Sequence, residues 1–180
     1  PGWLPQEIGD LSENPLHVWN SPIAESIRNS IRNNKFNYCK GCPILDQLQP
    51  GRERRDYRKG PLYINFSHDR TCNLACPSCR VSHIFESDSN VEKLIRFQDN
   101  LLETFKHTVK GLTITGSGDA FGSRVHLHLL SSMKKEDYPN IEELILCSNG
   151  LLIERNWEKI SGVHHRIKEM SVSIDAGTPK

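Results

Sequence analysis

Three cysteines lie close together in the sequence, at Cys72, Cys76 and Cys79. Thiols at this density can surround one metal centre, and iron-sulfur clusters use cysteine thiolates as their usual ligands. With three protein ligands, a 4Fe-4S cluster keeps one iron atom that is free to bind a substrate or a cofactor. A zinc ion would need a fourth protein ligand, which His68 or His83 could supply. The spacing therefore predicts a metal centre, either an open iron-sulfur cluster or a structural zinc site.

The other three cysteines are Cys39, Cys42 and Cys147. The first two form a Cys-x-x-Cys pair, a spacing found in both zinc and iron-sulfur sites. Because such sites normally need more than two protein ligands, this pair is incomplete within the sequence. Cys147 lies in the apolar run LILC and is expected to be a buried small hydrophobic residue. Six cysteines in 180 residues are too dilute for a disulfide framework, which favours metal binding in a reducing compartment.

Composition gives no general attraction for nucleic acid or for a membrane. The chain has 23 Lys and Arg residues against 22 Asp and Glu residues, a formal net charge of +1. No segment approaches the roughly 18 to 20 uninterrupted apolar residues of a membrane span, and the first residues lack the basic start of an export signal. The basic stretch at 52–59 is interrupted by two acidic residues and is interpreted as a linker. We therefore expect a cytoplasmic protein with no membrane or nucleic-acid partner.

After residue 60, short apolar runs alternate with longer amphipathic stretches, a pattern typical of strand-helix units around a parallel sheet. The predicted strands are 62–67, 112–115, 144–148 and 170–174, and the predicted helices are 91–107, 125–135 and 151–160. Polar or glycine-containing clusters follow the strands at 72–79, 116–119, 148–150 and 175–177. Because the loops after the carboxyl ends of parallel strands gather at one edge of a sheet, we expect these clusters to face one site.

The first third of the chain is expected to be irregular except for one helix. Ser21 and Pro22 form a cap followed by a proline at the first helical position, and isoleucines then recur at helical spacing up to about Asn33. The linker at 51–60 separates this region from residues 61–180. Four strand-helix units are too few for a full barrel, so we expect a piece of a longer protein, with further thiols before Pro1 and further units after Lys180.

The Cys-x3-Cys-x2-Cys motif after the first predicted strand resembles the hallmark of the radical S-adenosylmethionine (SAM) superfamily. Three downstream segments match family motifs in the expected order. The segment 117–119 (Ser-Gly-Asp) resembles the Gly-Gly-Glu motif, 148–150 (Ser-Asn-Gly) resembles a Thr-Asn-Gly segment, and 173–175 (Ser-Ile-Asp) resembles a Ser-Ile-Asp segment. Ser78 departs from the family, which often has an aromatic residue before the last cysteine. The resemblance spans about 62–178 and implies a TIM-like partial barrel, with its first four strand-helix units present.

This resemblance implies a role for each motif. In the family, a reduced 4Fe-4S cluster cleaves SAM to a 5'-deoxyadenosyl radical, which abstracts hydrogen from the substrate. The implied roles are cluster ligation by Cys72, Cys76 and Cys79, contact with the methionine end of SAM by Ser117, Gly118 and Asp119, and contact with its sugar by Asn149, Ser173 and Asp175. A reductant such as a flavodoxin or ferredoxin is implied as a partner, and a peptide or carbohydrate as substrate.

Residues 1–50 resemble, in incomplete form, the auxiliary-cluster region of SPASM or twitch domains. The matching residues are Trp19-Asn20-Ser21, the following helix, and the pair Cys39 and Cys42. This resemblance implies that the pair contributes to an auxiliary iron-sulfur cluster, although in most members the region follows the barrel instead of preceding it. Two other functions stay open from the residues alone: a non-catalytic zinc or iron-sulfur module, and an electron-transfer protein that never cleaves SAM.

Overall fold

The computed structural model describes residues 7–12, 14–39, 59–114 and 117–174. The chain divides into two compact units, residues 1–60 and residues 61–180. Cys42, Asp175 and most of the predicted linker lie outside the described residues. Among the described residues, every helix is too short or too polar to cross a membrane.

The first unit contains two helices, α1 (Pro15–Trp19) and α2 (Pro22–Arg32). The prediction of α2 is confirmed: the Ser21 hydroxyl caps its first turn by accepting from the Ala24 N–H, and Asn33 ends it. The prediction that the rest of this region is irregular is wrong for α1. A proline at the first helical position begins a helix instead of breaking one, and the Asn14 side chain supplies the cap.

The second unit is built on a four-stranded parallel sheet in the order β1-β2-β3-β4. The strands are β1 (Tyr63–Phe66), β2 (Gly111–Ile114), β3 (Glu143–Ser148) and β4 (Ile167–Val172). Each predicted strand falls on an observed strand, and the α/β class is confirmed. The register pairs Phe66 with Ile114, Ile114 with Leu146, and Ser148 with Val172. The carboxyl ends of the four strands therefore lie along one edge of the sheet.

Three crossovers connect these strands. The first two contain α3 (Asp88–Phe105) and α4 (Arg124–Ser132), as the sequence predicts. The third was expected to be one helix at 151–160 but consists of a short α5 (Ile153–Asn156) and a 3₁₀ stretch (Glu158–Arg166) that is kinked at Ile160. Gly162 is a poor helix former, and the His164 ring stacks on Trp157 at 4.0 Å between centroids. Both features favour tighter turns than a continuous α-helix.

Apolar side chains from these elements form the core of the second unit. The members that are at most 2 % exposed include Phe66, Leu102, Phe105, Leu112, Ile114, Val125, Leu129, Leu130, Leu144 and Leu146. Burying each such side chain is worth about 1.5 to 3 kcal/mol. Along β3 the burial alternates, with Leu144, Leu146 and Ser148 on the buried face. Cys147 lies on the other face and is only half-buried, so the prediction that it is fully buried is wrong.

Candidate functional site

Loops that follow all four strands border one cavity of about 230 Å³. The three clustered cysteines line it together with five residues of the later motifs, namely Gly118, Asp119, Ser148, Asn149 and Ser173. Ser117 is not part of this lining; its hydroxyl donates to the Ser67 carbonyl oxygen. The parallel register explains the convergence, because it brings the carboxyl ends of the strands side by side.

The cysteine loop is anchored at its start and becomes more accessible toward its end. Cys72 is buried, with its backbone N–H donating to the Ile84 carbonyl oxygen at 3.0 Å. Cys76 is half-buried and Cys79 is exposed, and the Cys79 N–H closes a turn onto the Cys76 carbonyl at 2.8 Å. The Leu74 N–H donates to the Cys72 sulfur at 3.4 Å. The thiols therefore differ in exposure, although all three border the cavity.

The two histidines that the sequence suggested as a fourth zinc ligand lie away from the three thiols' cavity. In the described part of the chain, no three His, Cys, Asp or Glu side chains are placed to bind one metal ion. His68 and His83, the zinc ligands suggested by the sequence, do not line the cavity: His68 packs against Phe66 and Phe97, and exposed His83 stacks on Phe85. In a cluster each thiolate binds a different iron atom, so its sulfurs lie farther apart than the ligands of one zinc ion.

Asp119 joins the loop after β2 to the loop after β3. Its Oδ1 accepts from the N–H groups of Phe121 and Gly122 at 2.9 and 2.8 Å. Its Oδ2 accepts from the Ser148 hydroxyl at 2.9 Å and from the Asn149 N–H at 2.7 Å. A carboxylate has about four acceptor positions, and here four donors of the chain itself occupy them. Asp119, 2 % exposed, thus fixes the cavity wall.

Asn149 reaches from the loop after β3 toward the cysteine loop. Its amide nitrogen donates to Asn73 Oδ1 at 2.9 Å and lies 3.7 Å from the Cys72 sulfur. Its carbonyl oxygen accepts from the Leu151 N–H at 3.0 Å. The next residue, Gly150, has a φ of +87°, a conformation that favours glycine and allows the tight turn. The amide of Asn149 therefore links two of the converging loops.

Gly118 allows the loop after β2 to lie directly on the start of the cysteine loop. A Cβ atom at this position would lie 2.5 Å from the Thr71 carbonyl oxygen and 2.8 Å from that of Asp69. The neighbouring Asp119 N–H donates to the same Thr71 oxygen at 2.9 Å. Only a residue without a side chain fits this backbone contact.

Asp69 holds the start of the cysteine loop through hydrogen bonds, and the sequence did not single it out. It is fully buried, and its carboxylate accepts from the Thr71 N–H at 2.8 Å and from the Ser123 hydroxyl. Burial by itself would raise the pKa of Asp69, but the hydrogen bonds from Ser123 and Thr71 hold that pKa below its usual value. Ser123 also caps α4 by accepting from the His126 N–H at 2.9 Å. A single aspartate in a polar loop carries no signal that would reveal this role.

Arg80 is a second residue that the sequence did not single out. It follows the last cysteine of the motif, is half-buried and lines the cavity. Its guanidinium donates to the carbonyl oxygens of Arg70 and Ser117 and to the Cys79 sulfur. Its position directly after the cysteine motif is the clue that the sequence offers.

The remaining predicted residues are placed as follows. Ser173 lines the cavity and its N–H donates to the Ser148 carbonyl oxygen at 2.9 Å. Cys39 belongs to the first unit, is half-buried and donates through its N–H to the Phe36 carbonyl at 2.9 Å. Cys42 and Asp175 lie outside the described residues.

Comparisons of this chain with protein-family models, with curated proteins and with solved structures found no match.

Proposed function

We propose that this chain forms the cluster- and SAM-binding part of a radical SAM enzyme, in which Cys72, Cys76 and Cys79 hold a 4Fe-4S cluster. The observation that carries the proposal is that three thiols with this spacing share one cavity with residues of three later motifs. These motifs are up to 101 positions away along the chain, since 173 − 72 = 101. A structural zinc site would not require polar loops from every strand to converge beside the thiols.

When bound and reduced, such a cluster supplies the electron that splits SAM into methionine and a 5'-deoxyadenosyl radical. The chain's own contribution is to hold the thiolates and orient them. Hydrogen bonds from Leu74 and Asn149 to the Cys72 sulfur, and from Arg80 to the Cys79 sulfur, are suited to this task. Such contacts fix ligand direction and partly offset the negative charge of a thiolate.

The cavity is assigned to the open iron atom and the methionine end of SAM, and not to the whole cofactor. The reason is its volume of about 230 Å³, which is below the range of roughly 300 to 1,000 Å³ that is common for sites enclosing a whole ligand. Asp119 contributes by holding the loops after β2 and β3 in place, because its acceptor positions are already filled. Asn149 and Ser173 border the same space and are proposed to lie toward the sugar of SAM.

The finer parts of the proposal follow the family resemblance. The parallel sheet is proposed to belong to a TIM-like partial barrel, and residues 1–50 to a cysteine-bearing extension with an auxiliary iron-sulfur cluster at Cys39 and Cys42. The reductant is proposed to be a flavodoxin or ferredoxin, the substrate a peptide or carbohydrate, and the compartment the cytoplasm. These parts rest on analogy with the family, because fold alone does not determine function.

The test is SAM cleavage by the whole chain after anaerobic reconstitution with iron and sulfide. We expect a brown protein that absorbs at about 400 nm, as thiolate-bound clusters do, and that releases 5'-deoxyadenosine when SAM and dithionite are added. Cys76→Ala should reduce the release to background. Cys147→Ala is the matched control, since Cys147 lies on β3 and is not part of the cavity lining, and it should keep nearly full activity.

Three results would contradict the proposal in different ways. A colourless protein with one tightly bound zinc ion per chain would favour the structural module. A brown protein that releases no 5'-deoxyadenosine would favour an electron-transfer role. Equal losses in Cys76→Ala and Cys147→Ala would contradict the ligand assignment.

A further inference from the structure

The guanidinium of Arg80 makes three contacts that join the cavity's loops. Its Nη1 donates to the Arg70 carbonyl oxygen at 2.9 Å. Its Nη2 donates to the Ser117 carbonyl oxygen at 2.6 Å and to the Cys79 sulfur at 3.4 Å. Arg70 precedes the cysteine motif and Ser117 follows β2, so one planar group bridges two loops and a predicted cluster ligand.

Arginine is well suited to this position. Its planar group presents several N–H donors in a fixed fork and stays charged at every physiological pH. A lysine could keep the positive charge but could not reproduce the fork.

We propose that Arg80 is a positioning residue that fastens the cysteine loop to the loop after β2 and holds a permanent positive charge beside Cys79. The fastening depends only on the geometry of the chain. The charge has a further consequence that rests on the proposed function: it makes a bound cluster easier to reduce. Reduction adds one electron to the cluster without making or breaking a bond, and a nearby positive charge stabilises the more negative form.

The fastening is tested by hydrogen exchange in the full chain without metal. In Arg80→Gln the Asp119 amide, which bonds to the Thr71 carbonyl, should exchange roughly tenfold faster, because a hydrogen-bonded bridge between the loops is lost. The amides of β3 should not change, which separates local loosening from general destabilisation. Arg80→Lys should also exchange faster. Arg70→Gln is the matched control, because it removes an exposed charge from the same loop but leaves the Arg70 carbonyl in place.

The charge is tested by redox titration of the reconstituted proteins. At a fixed potential, Arg80→Gln should lower the ratio of reduced to oxidised cluster about tenfold, equivalent to about 59 mV for a one-electron couple. Arg80→Lys should stay close to wild type, because it keeps the charge, and so should Arg70→Gln. The lysine variant thus separates the two roles, since it should loosen the loops without shifting the potential.

Each part of the proposal would be contradicted by a different experimental result. If Arg80→Gln exchanges at the same rate as Arg70→Gln, the fastening role is wrong. If their clusters titrate at the same potential, the electrostatic role is wrong. A wild-type chain that assembles no cluster would refute the proposed function and the electrostatic role together, while the exchange result would still decide the fastening.

Discussion

Asp119 and Cys79 line the same cavity, yet the chain holds them in different ways. Asp119 is buried and accepts four hydrogen bonds, two within the loop after β2 and two that tie this loop to the loop after β3. Cys79 is exposed, as are Pro77 and Ser78 before it, and the Arg80 side chain reaches its sulfur. One wall of the cavity is therefore set by the chain's own hydrogen bonds before any ligand binds. The thiol wall is the part that the proposed cluster would complete, because metal ligation can contribute directly to folding.

The largest expected effect on stability comes from removing the Asp119 carboxylate, whose hydrogen bonds connect the loops after β2 and β3. Asp119→Ala should lower the free energy of unfolding by about 3 to 5 kcal/mol, because four donors lose a charged acceptor in a buried position. Urea denaturation of the metal-free chain measures this difference. Exposed Asp137→Ala is the control and should be within about 0.5 kcal/mol of wild type. Equal stability of the two variants would show that Asp119 is not a structural link.

Acid should also lower the stability of the second unit through His126, which lies in the first turn of α4. Burial lowers the pKa of His126 to about 4, and neighbouring His68 adds to the effect. Because the folded-state pKa lies below the unfolded value of 6.5, the unfolded chain binds the proton first and stability is lost as pH falls from 6.5 toward 4. The difference of about 2.5 pKa units corresponds to roughly 3 kcal/mol at the acid end.

Urea denaturation at several pH values measures this loss. His126→Leu should flatten the dependence between pH 6.5 and 4, while the matched change at exposed His107, His107→Leu, should leave it unchanged. The burial of His68 lowers its pKa in the same direction, so part of the slope should persist in His126→Leu. A wild-type chain equally stable at both ends of this range would contradict the burial of a neutral imidazole here.

A smaller effect is expected at Gly118, where the loop after β2 contacts the start of the cysteine loop. Gly118→Ala should cost about 1 to 3 kcal/mol, because the added methyl group meets backbone oxygens that cannot move independently. Gly162→Ala offers a sharp control, since an added Cβ there would have no neighbour within 4 Å. That change should be neutral or slightly stabilising. Thermal unfolding of both variants gives the comparison, and an equal response would mean that the close approach at Gly118 is not maintained.

The sequence predicts the elements of the second unit well because local patterns determine them. Apolar runs mark all four strands, and amphipathic spacing marks α3 and α4. The errors in the predicted helices occur where one residue type is compatible with two local structures. Pro15 begins α1 in a region that was expected to be irregular, and the stretch after Leu151 divides into α5 and a 3₁₀ segment that is kinked at Ile160.

The candidate site is only partly predictable for a different reason. The motif residues can be identified from their spacing in the sequence. The hydrogen bonds that hold them in place, however, join residues that are far apart in the sequence. Ser123 meets Asp69 across 54 positions, and Asn149 meets Asn73 across 76 positions. No local pattern encodes such pairs. The sequence therefore identified Asp119 as a site residue but did not foresee that four donors of the chain occupy its carboxylate.

The most direct measurement of the central claim is electron paramagnetic resonance of the reconstituted chain after reduction, with and without SAM. The proposed open iron atom predicts the signal of a reduced 4Fe-4S cluster that changes when SAM is added, and that is absent in Cys76→Ala. A signal that is identical with and without SAM would mean that no iron atom accepts the cofactor. That result would contradict the assignment of this cavity to radical SAM chemistry.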